Sequence, residues 1–144
     1  IVRARSEKPI ETTLELAKIV EDTYPAKTRW KFGHPAKRTF QAIRIEVNDE
    51  LSSLGEAVTA MARRLEKGGR MAVITFHSLE DRIVKSAFKE LSLACTCPPD
   101  FPVCVCGKVQ EVELVNKKPI TASEEELENN SRSQSAKLRV IEKM

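Results

Sequence analysis

The segment Phe76-His77-Ser78-Leu79-Glu80-Asp81-Arg82 gathers an imidazole, a hydroxyl, two carboxylates and a guanidinium in one short run. It follows an apolar stretch of strand length, and in open α/β sheets ligands bind where such strands end. An imidazole or a carboxylate in that position could exchange protons with a substrate. The alternative is structural: Ser78 and Asp81 cap the next helix, Arg82 pairs with a neighbouring acid, and His77 hydrogen-bonds a backbone carbonyl.

The cysteines of the chain are also chemically capable, because they form the pattern C-x-C-x6-C-x-C at Cys95, Cys97, Cys104 and Cys106. Four thiolates so close in sequence could close on one tetrahedral metal ion such as zinc, although the pairs are tighter than the C-x2-C pairs of most zinc ribbons. Reduced structural or surface thiols, and disulfides, are the alternatives. A reducing cytoplasm disfavours disulfides.

A basic segment lies between Ala26 and Ile45, which contains no acid. Its cations alternate with Trp30, Phe32 and Phe40, and a mixture of cations and aromatic rings suits phosphates and unstacked bases of RNA. The alternative is a solvated loop followed by an amphipathic helix with Phe40 in the core. The basic side chains are Lys27, Arg29, Lys31, Lys37, Arg38 and Arg44, with His34 beside them.

Composition and missing motifs narrow the class of protein. With 144 residues, 41% hydrophobic and 31% charged, the chain suits one compact domain, and its net charge of +3 does not by itself indicate a nucleic-acid partner. It has no G-x-G-x-x-G, P-loop, G-x-S-x-G or H-E-x-x-H motif, so dehydrogenases, nucleotide hydrolases, serine esterases and zinc proteases lack their signatures. No membrane span or secretory signal is visible, so we expect a cytoplasmic protein. Because Ile1 to Arg5 resemble the last turns of a helix, we also expect the chain to be a fragment.

Helical signals precede the central strand. Thr12 and Glu15 form a capping box for a helix ending near Thr23. Apolar residues then recur every three or four positions, which predicts one long helix over residues 36–66 with these side chains buried together. They are Phe40, Ile43, Val47, Leu51, Leu54, Val58, Met61 and Leu65.

The remaining pattern predicts an α/β unit. The apolar run of residues 70–76 is typical of a parallel strand buried on both faces, and a capping box of Ser78 and Asp81 begins the helix after it. Further strands are predicted over residues 109–115 and 136–141, with a helix capped by Ser123 between them.

Four stretches together resemble one family, the ribosomal RNA small-subunit methyltransferase H family, also called MraW. The resemblance covers essentially the whole chain, in the order expected. The stretches are His34 to Ile45 with Val47 to Leu51, Gly68 to Arg70 with Phe76 to Arg82, Cys95 to Gly107, and Lys117 to Ile120 with Ser135 to Arg139.

This resemblance implies the C-terminal part of a class I, Rossmann-like methyltransferase. Residues 1–35 would end a helical substrate-recognition insertion, and residues 36–144 would belong to the sheet domain, with a Cys-rich excursion over residues 95–107. The full-length protein would use S-adenosylmethionine to methylate the N4 amine of a cytosine in 16S ribosomal RNA of the small subunit. The donor-binding residues of the family lie upstream of Ile1, so we expect none here and an inactive isolated fragment.

The resemblance also implies positions for the substrate. His77 or Glu80 would accept the amine proton, while a second set would contact phosphate or the flipped base. The second set is Lys37, Arg38, Gln41, Arg44, Asn48, Ser78 and Arg82. A non-catalytic RNA-binding module, with the cysteines as a metal staple, is the alternative function.

Overall fold

The computed structural model describes residues 1–31, 33–98 and 102–144, which form two compact units, Ile1–Glu50 and Leu51–Met144. Phe32, a predicted base-stacking residue, lies outside the described residues, as do residues 99–101 of the predicted Cys-rich excursion. The predicted domain boundary between residues 35 and 36 stays a prediction.

The first unit contains helices α1 (Val2–Glu7), α2 (Thr13–Glu21) and α3 (Lys37–Asn48). The capping box predicted at the start of α2 is confirmed: the Glu15 N–H donates to Thr12 Oγ1 at 3.1 Å, and Glu15 Oε2 accepts from the Thr12 N–H at 3.2 Å. The helix ends two residues earlier than predicted, and a turn continues to Thr23 through its bond to the Val20 carbonyl.

The prediction of one helix over residues 36–66 is wrong. Helix α3 ends at Asn48, because Asp49 adopts the left-handed conformation (φ 52°), one that asparagine and aspartate tolerate better than most residues. The chain turns before α4 (Leu54–Arg63) begins. The apolar period continues across this turn and so conceals it. Val47 is 77% exposed, and Ile43 and Met61 are exposed too, so the predicted common burial is also wrong.

The second unit contains β1 (Arg70–Thr75), α5 (Ser78–Leu91), β2 (Val112–Leu114), α6 (Glu124–Asn129), a 3-10 turn (Ser131–Ser135) and β3 (Lys137–Lys143). The three strands form a sheet in the order β1-β3-β2. The helix predicted after Ser123 is confirmed, since Ser123 caps α6. The two later strands occur where they were predicted, with shifted ends.

The pairing of β1 differs from the predicted parallel, doubly buried strand. Within the described residues β1 pairs with β3 in antiparallel register, from Arg70 opposite Glu142 to Thr75 opposite Lys137. Its burial alternates, and Ile74 is 59% exposed. An apolar run reports hydrophobicity but carries no information on the direction of a partner strand more than sixty residues away.

Helix α5 is the centre of the second unit. It packs against α4 on one side and against the sheet on the other, around the buried side chains of Val58, Val84, Phe88, Val112 and Ile141. The two helices approach closely, since a Cβ at Gly55 would lie 3.4 Å from Ile83 Cγ2. This packing fixes the start of α5, and with it the turn from residue 76 to residue 78.

Candidate functional site

The turn between β1 and α5 holds His77 and Glu80 in a second capping box. His77, in extended conformation, is the N-cap: its Nδ1 accepts from the Glu80 N–H at 3.3 Å. Glu80 Oε2 accepts from the N–H groups of Phe76 and His77 at 2.9 and 3.2 Å. The predicted capping box of Ser78 and Asp81 is therefore wrong. Ser78 is instead the first, exposed residue of the helix.

The hydrogen bonds of His77 fix its tautomer. Because Nδ1 accepts a backbone N–H, the neutral ring carries its proton on Nε2. Nε2 lies 3.1 Å from Glu80 Oε1, yet no hydrogen bond of good geometry reaches Nε2 within the described part of the chain. The contact is therefore electrostatic proximity rather than an aligned bond. The His77 side chain is only 10% exposed, so its ring is held rigidly.

Asp81, the residue after Glu80, is bound to strand β3. Arg139 Nε donates to its Oδ1 at 2.7 Å and Arg139 Nη2 to its Oδ2 at 3.1 Å, and Lys137 Nζ lies 3.5 Å from Oδ2. The hydrogen bonds from Arg139 hold the pKa of Asp81 below its usual value. The pairing of Arg139 with Asp81 was not predicted, since 58 residues separate the partners and no local pattern relates them.

Arg82 is exposed and is not part of this pair. The structural alternative required an ion pair between Arg82 and a neighbouring acid. Among the described residues, no ion pair joins Arg82 to Glu80 or Asp81. Arg82 instead lines an open groove of about 710 Å³ between α4 and α5, together with Glu56, Arg63 and Glu90. Charges of both signs therefore border the groove.

The basic segment places several predicted contact residues on one face of α3. Arg38, Gln41, Arg44 and Asn48 follow each other at helical spacing, and Lys37 and Arg38 are exposed. Arg44 is held by Glu50 through two hydrogen bonds of 2.9 Å, and the Asn48 amide donates to the same carboxylate at 3.0 Å. These bonds orient a side chain that stays 55% exposed.

The loop before α3 presents an aromatic surface. Trp30 is 58% exposed, and its ring meets His34 edge to face with centroids 5.2 Å apart. His34 Nε2 also lies 3.3 Å from Glu21 Oε1. Phe40, in contrast, is half-buried and is not one of the buried core residues among which the alternative interpretation of the basic segment placed it.

The four cysteines are brought together between α5 and β2. All four Sγ atoms lie within 4.8 Å of one another, and every thiol is free. Backbone N–H groups of Thr96 and Lys108 lower the pKa of Cys106 to about 5. For Cys95, the Cys97 N–H acts in the same direction, but the neighbouring thiols of Cys104 and Cys97 outweigh it and raise the pKa to about 11. Sequence spacing suggested this cluster, and the structure assembles it.

Among the described residues, no helix combines the length and the apolar character that a membrane span requires.

Comparison with known proteins identifies the family of the chain. The model of the MraW methylase family matches residues 1–144. The chain belongs to the MraW methylase family. The resemblance in the sequence motifs is thereby confirmed, and the four motif stretches, including the turn with His77 and Glu80, all lie within this match.

Curated relatives carry a more specific name. Proteins of Clostridium botulinum strains Hall, Okra and Kyoto, each named ribosomal RNA small subunit methyltransferase H, are 60% identical to this chain over 144 residues. The alignment covers 100% of the chain but 46% of each relative. This MraW chain therefore spans about half the length of the relatives it matches.

Proposed function

We propose that the protein transfers a methyl group from S-adenosylmethionine to the N4 amine of a cytosine in 16S ribosomal RNA of the small subunit. The observation that carries the proposal is the 60% identity, over the entire chain, to proteins named ribosomal RNA small subunit methyltransferase H. In this proposal the chain supplies the C-terminal part of a Rossmann-like catalytic domain, preceded by the end of a helical insertion over residues 1–35.

The contacts to the methyl donor belong, in this proposal, to the part of the relatives' length that the chain does not cover. The turn after β1 supports this placement. The first N–H groups of α5 are the natural ligands for a carboxylate or ribose, and the Glu80 N–H among them is already bound by His77. One backbone N–H of the described turn is therefore taken up by the cap, and we expect donor binding by this chain alone to be weak.

The reaction asks the protein mainly to position its substrates. The cytosine N4 must reach the methyl carbon in line, and holding two reactants at near-attack distance supplies much of the rate. A flipped cytosine also needs an acceptor for its amine proton. Of the two proposed catalytic residues, Glu80 is the better acceptor, because its Oε1 caps no backbone N–H, whereas the Nδ1 of His77 is already occupied.

RNA contacts are proposed on two surfaces, each within its own unit. On α3 they are Lys37, Arg38, Gln41, Arg44 and Asn48, and at the start of α5 they are Ser78 and Arg82. The exposure of these cations supports phosphate binding, and the Glu50 carboxylate holds the guanidinium of Arg44 in a defined orientation.

The test compares two proteins. One is the chain alone, and the other is a longer protein that joins this chain to the segments that its relatives carry beyond it. Both are incubated with methyl-labelled S-adenosylmethionine and unmodified small subunits, and the RNA is digested to nucleosides for mass spectrometry. We expect N4-methylcytidine from the longer protein and none from the chain. RNA binding without methyl transfer by the longer protein would instead support the non-catalytic RNA-binding module, and a methyl group on another atom would refute the N4 assignment.

A further inference from the structure

We propose that Cys95, Cys97, Cys104 and Cys106 bind one zinc ion as a structural site. The site is independent of methyl transfer, and neither the family nor the names of the relatives assign it. It rests on the arrangement of the four sulfur atoms and on the backbone that surrounds them.

The sulfur separations match a single tetrahedral ion. Zinc bound to thiolates has Zn–S distances of about 2.3 Å, which places neighbouring sulfurs of a regular tetrahedron about 3.8 Å apart. Cys104 Sγ lies 3.5 Å from Cys95 Sγ, 3.5 Å from Cys106 Sγ and 3.9 Å from Cys97 Sγ, and Cys106 Sγ lies 3.8 Å from Cys95 Sγ. The four ligand atoms are therefore already spaced for one ion at their centre.

Competing arrangements of the thiols fit less well. A disulfide requires a sulfur–sulfur distance of about 2.05 Å, whereas the shortest separations here are 3.5 Å. An iron–sulfur cluster distributes its cysteines over two or more iron atoms and so places at least some of the cysteine sulfurs farther apart than one ion does. Four sulfur ligands with short separations favour a single tetrahedral ion, and zinc is the usual ion of structural sites with four cysteines.

The backbone around the cluster supports thiolate ligands. The Cys97 N–H donates to Cys95 Sγ at 3.3 Å and the Thr96 N–H to Cys106 Sγ at 3.5 Å. Such bonds from the surrounding backbone orient metal ligands and stabilise their negative charge. Four protein ligands also leave no open position for substrate, so the role is structural rather than catalytic.

The cluster lies in a segment that regular secondary structure does not support. Described residues between α5 and β2 form no helix or strand, and Val103 and Val105 are 68% and 73% exposed. The base of this segment is closed by the Glu111 N–H, which donates to the Leu91 carbonyl at 2.9 Å, and by the pairing of Glu111 with Arg63. A metal ion would fix its outer part, since binding a metal contributes directly to the free energy of folding.

The experiment is a cobalt titration of the purified chain, stripped of metal and kept reduced. We expect one cobalt per chain, with the intense visible absorption and sulfur charge-transfer bands of tetrahedral thiolate coordination, and displacement by one equivalent of zinc. Because neither RNA nor methyl donor is present, the result does not depend on the proposed enzymatic function. No uptake of cobalt by the reduced chain, or binding without charge-transfer bands, would overturn the proposal.

Two variants locate the site. Cys104→Ser removes the sulfur closest to its neighbours and should weaken cobalt binding by about 100-fold or more, since loss of a mere supporting residue costs 10- to 100-fold. Val105→Ala changes the same segment without touching a thiol and should bind as the wild type does. Far-UV circular dichroism checks that both variants fold. Unchanged binding by Cys104→Ser, or an equal loss of binding in both variants, would contradict the assignment.

Discussion

The starts of helices α2 and α5 use the same capping box in different surroundings. Thr12 and Glu15 cap α2 at the surface, where the Glu15 side chain is 39% exposed and, besides the backbone N–H groups of the cap, lies 3.4 Å from Lys8. His77 and Glu80 cap α5 with side chains that are 10% and 25% exposed, beside a buried Asp81 that binds the sheet. The first box begins a helix; the second also holds an imidazole and a carboxylate rigidly at the end of a strand.

The largest effect on the free energy of unfolding is expected where the start of α5 is bound to the sheet. Asp81→Asn leaves the buried Arg139 guanidinium without its anionic partner and should lower the free energy of unfolding by about 3 kcal/mol. The counterpart at α2, Lys8→Gln, removes an exposed ion pair and should leave stability unchanged. Urea denaturation followed by circular dichroism measures both. Equal stability of the two variants would remove the distinction between the helix starts.

The same ion pair predicts a pH dependence. Arg139 lowers the pKa of Asp81 in the folded protein, so the pair contributes its full stability above the ordinary carboxyl pKa and loses it as the pH falls through the lowered value. The stability difference between the wild type and Asp81→Asn should therefore narrow on acidification. Denaturation curves at several pH values measure it. A difference that stayed constant or grew in acid would show that Asp81 does not titrate with this partner.

Removal of the two N-cap side chains should have a smaller and unequal effect. Thr12→Ala deletes one cap at the surface and should cost about 1 kcal/mol, whereas His77→Ala also empties a buried ring position and should cost about 2 kcal/mol. His77→Asn, which keeps a side chain suited to capping, should recover part of the loss. Thermal or urea unfolding gives the three values, and a larger cost for Thr12→Ala would reverse the comparison.

The smallest effect on stability is expected at Arg44, whose two bonds to Glu50 repeat, at the surface, the geometry of Arg139 with Asp81. Arg44→Ala should change unfolding little, yet weaken RNA binding and reduce its dependence on salt concentration by about one phosphate contact. Lys67→Ala removes an exposed cation outside the proposed contacts and serves as the control. RNA binding measured across salt concentrations tests this. An unchanged salt dependence with lost stability would make Arg44 a structural residue.

The two helix starts also show which features of the fold can be predicted from the sequence. The box of Thr12 and Glu15 was predictable because threonine is a common N-cap; His77 was not recognised as the cap of α5, because histidine seldom occupies that position. The turn at Asp49 was hidden by an apolar period that continues across it. Local patterns thus located α2, α5, α6 and the cysteine cluster, but they merged α3 with α4.

Long-range relations were not accessible in the same way. The antiparallel partner of β1 and the Arg139 partner of Asp81 both lie in β3, far along the chain, and no spacing rule relates such positions. The orientation of Arg44 by Glu50 depends on the turn at Asp49, which was itself missed. The sequence therefore identified residue types capable of chemistry, but it did not identify their long-range partners.

The central claim is that the capping box of α5, unlike that of α2, belongs to the reacting site. The direct test is the kcat for methyl transfer of Glu80→Gln and Glu15→Gln in the longer protein, since glutamine preserves both capping boxes but cannot accept the proton. We predict that Glu80→Gln lowers kcat by about 100-fold at unchanged stability, while Glu15→Gln keeps full activity. Full activity of Glu80→Gln would contradict the account and leave both boxes as helix caps alone.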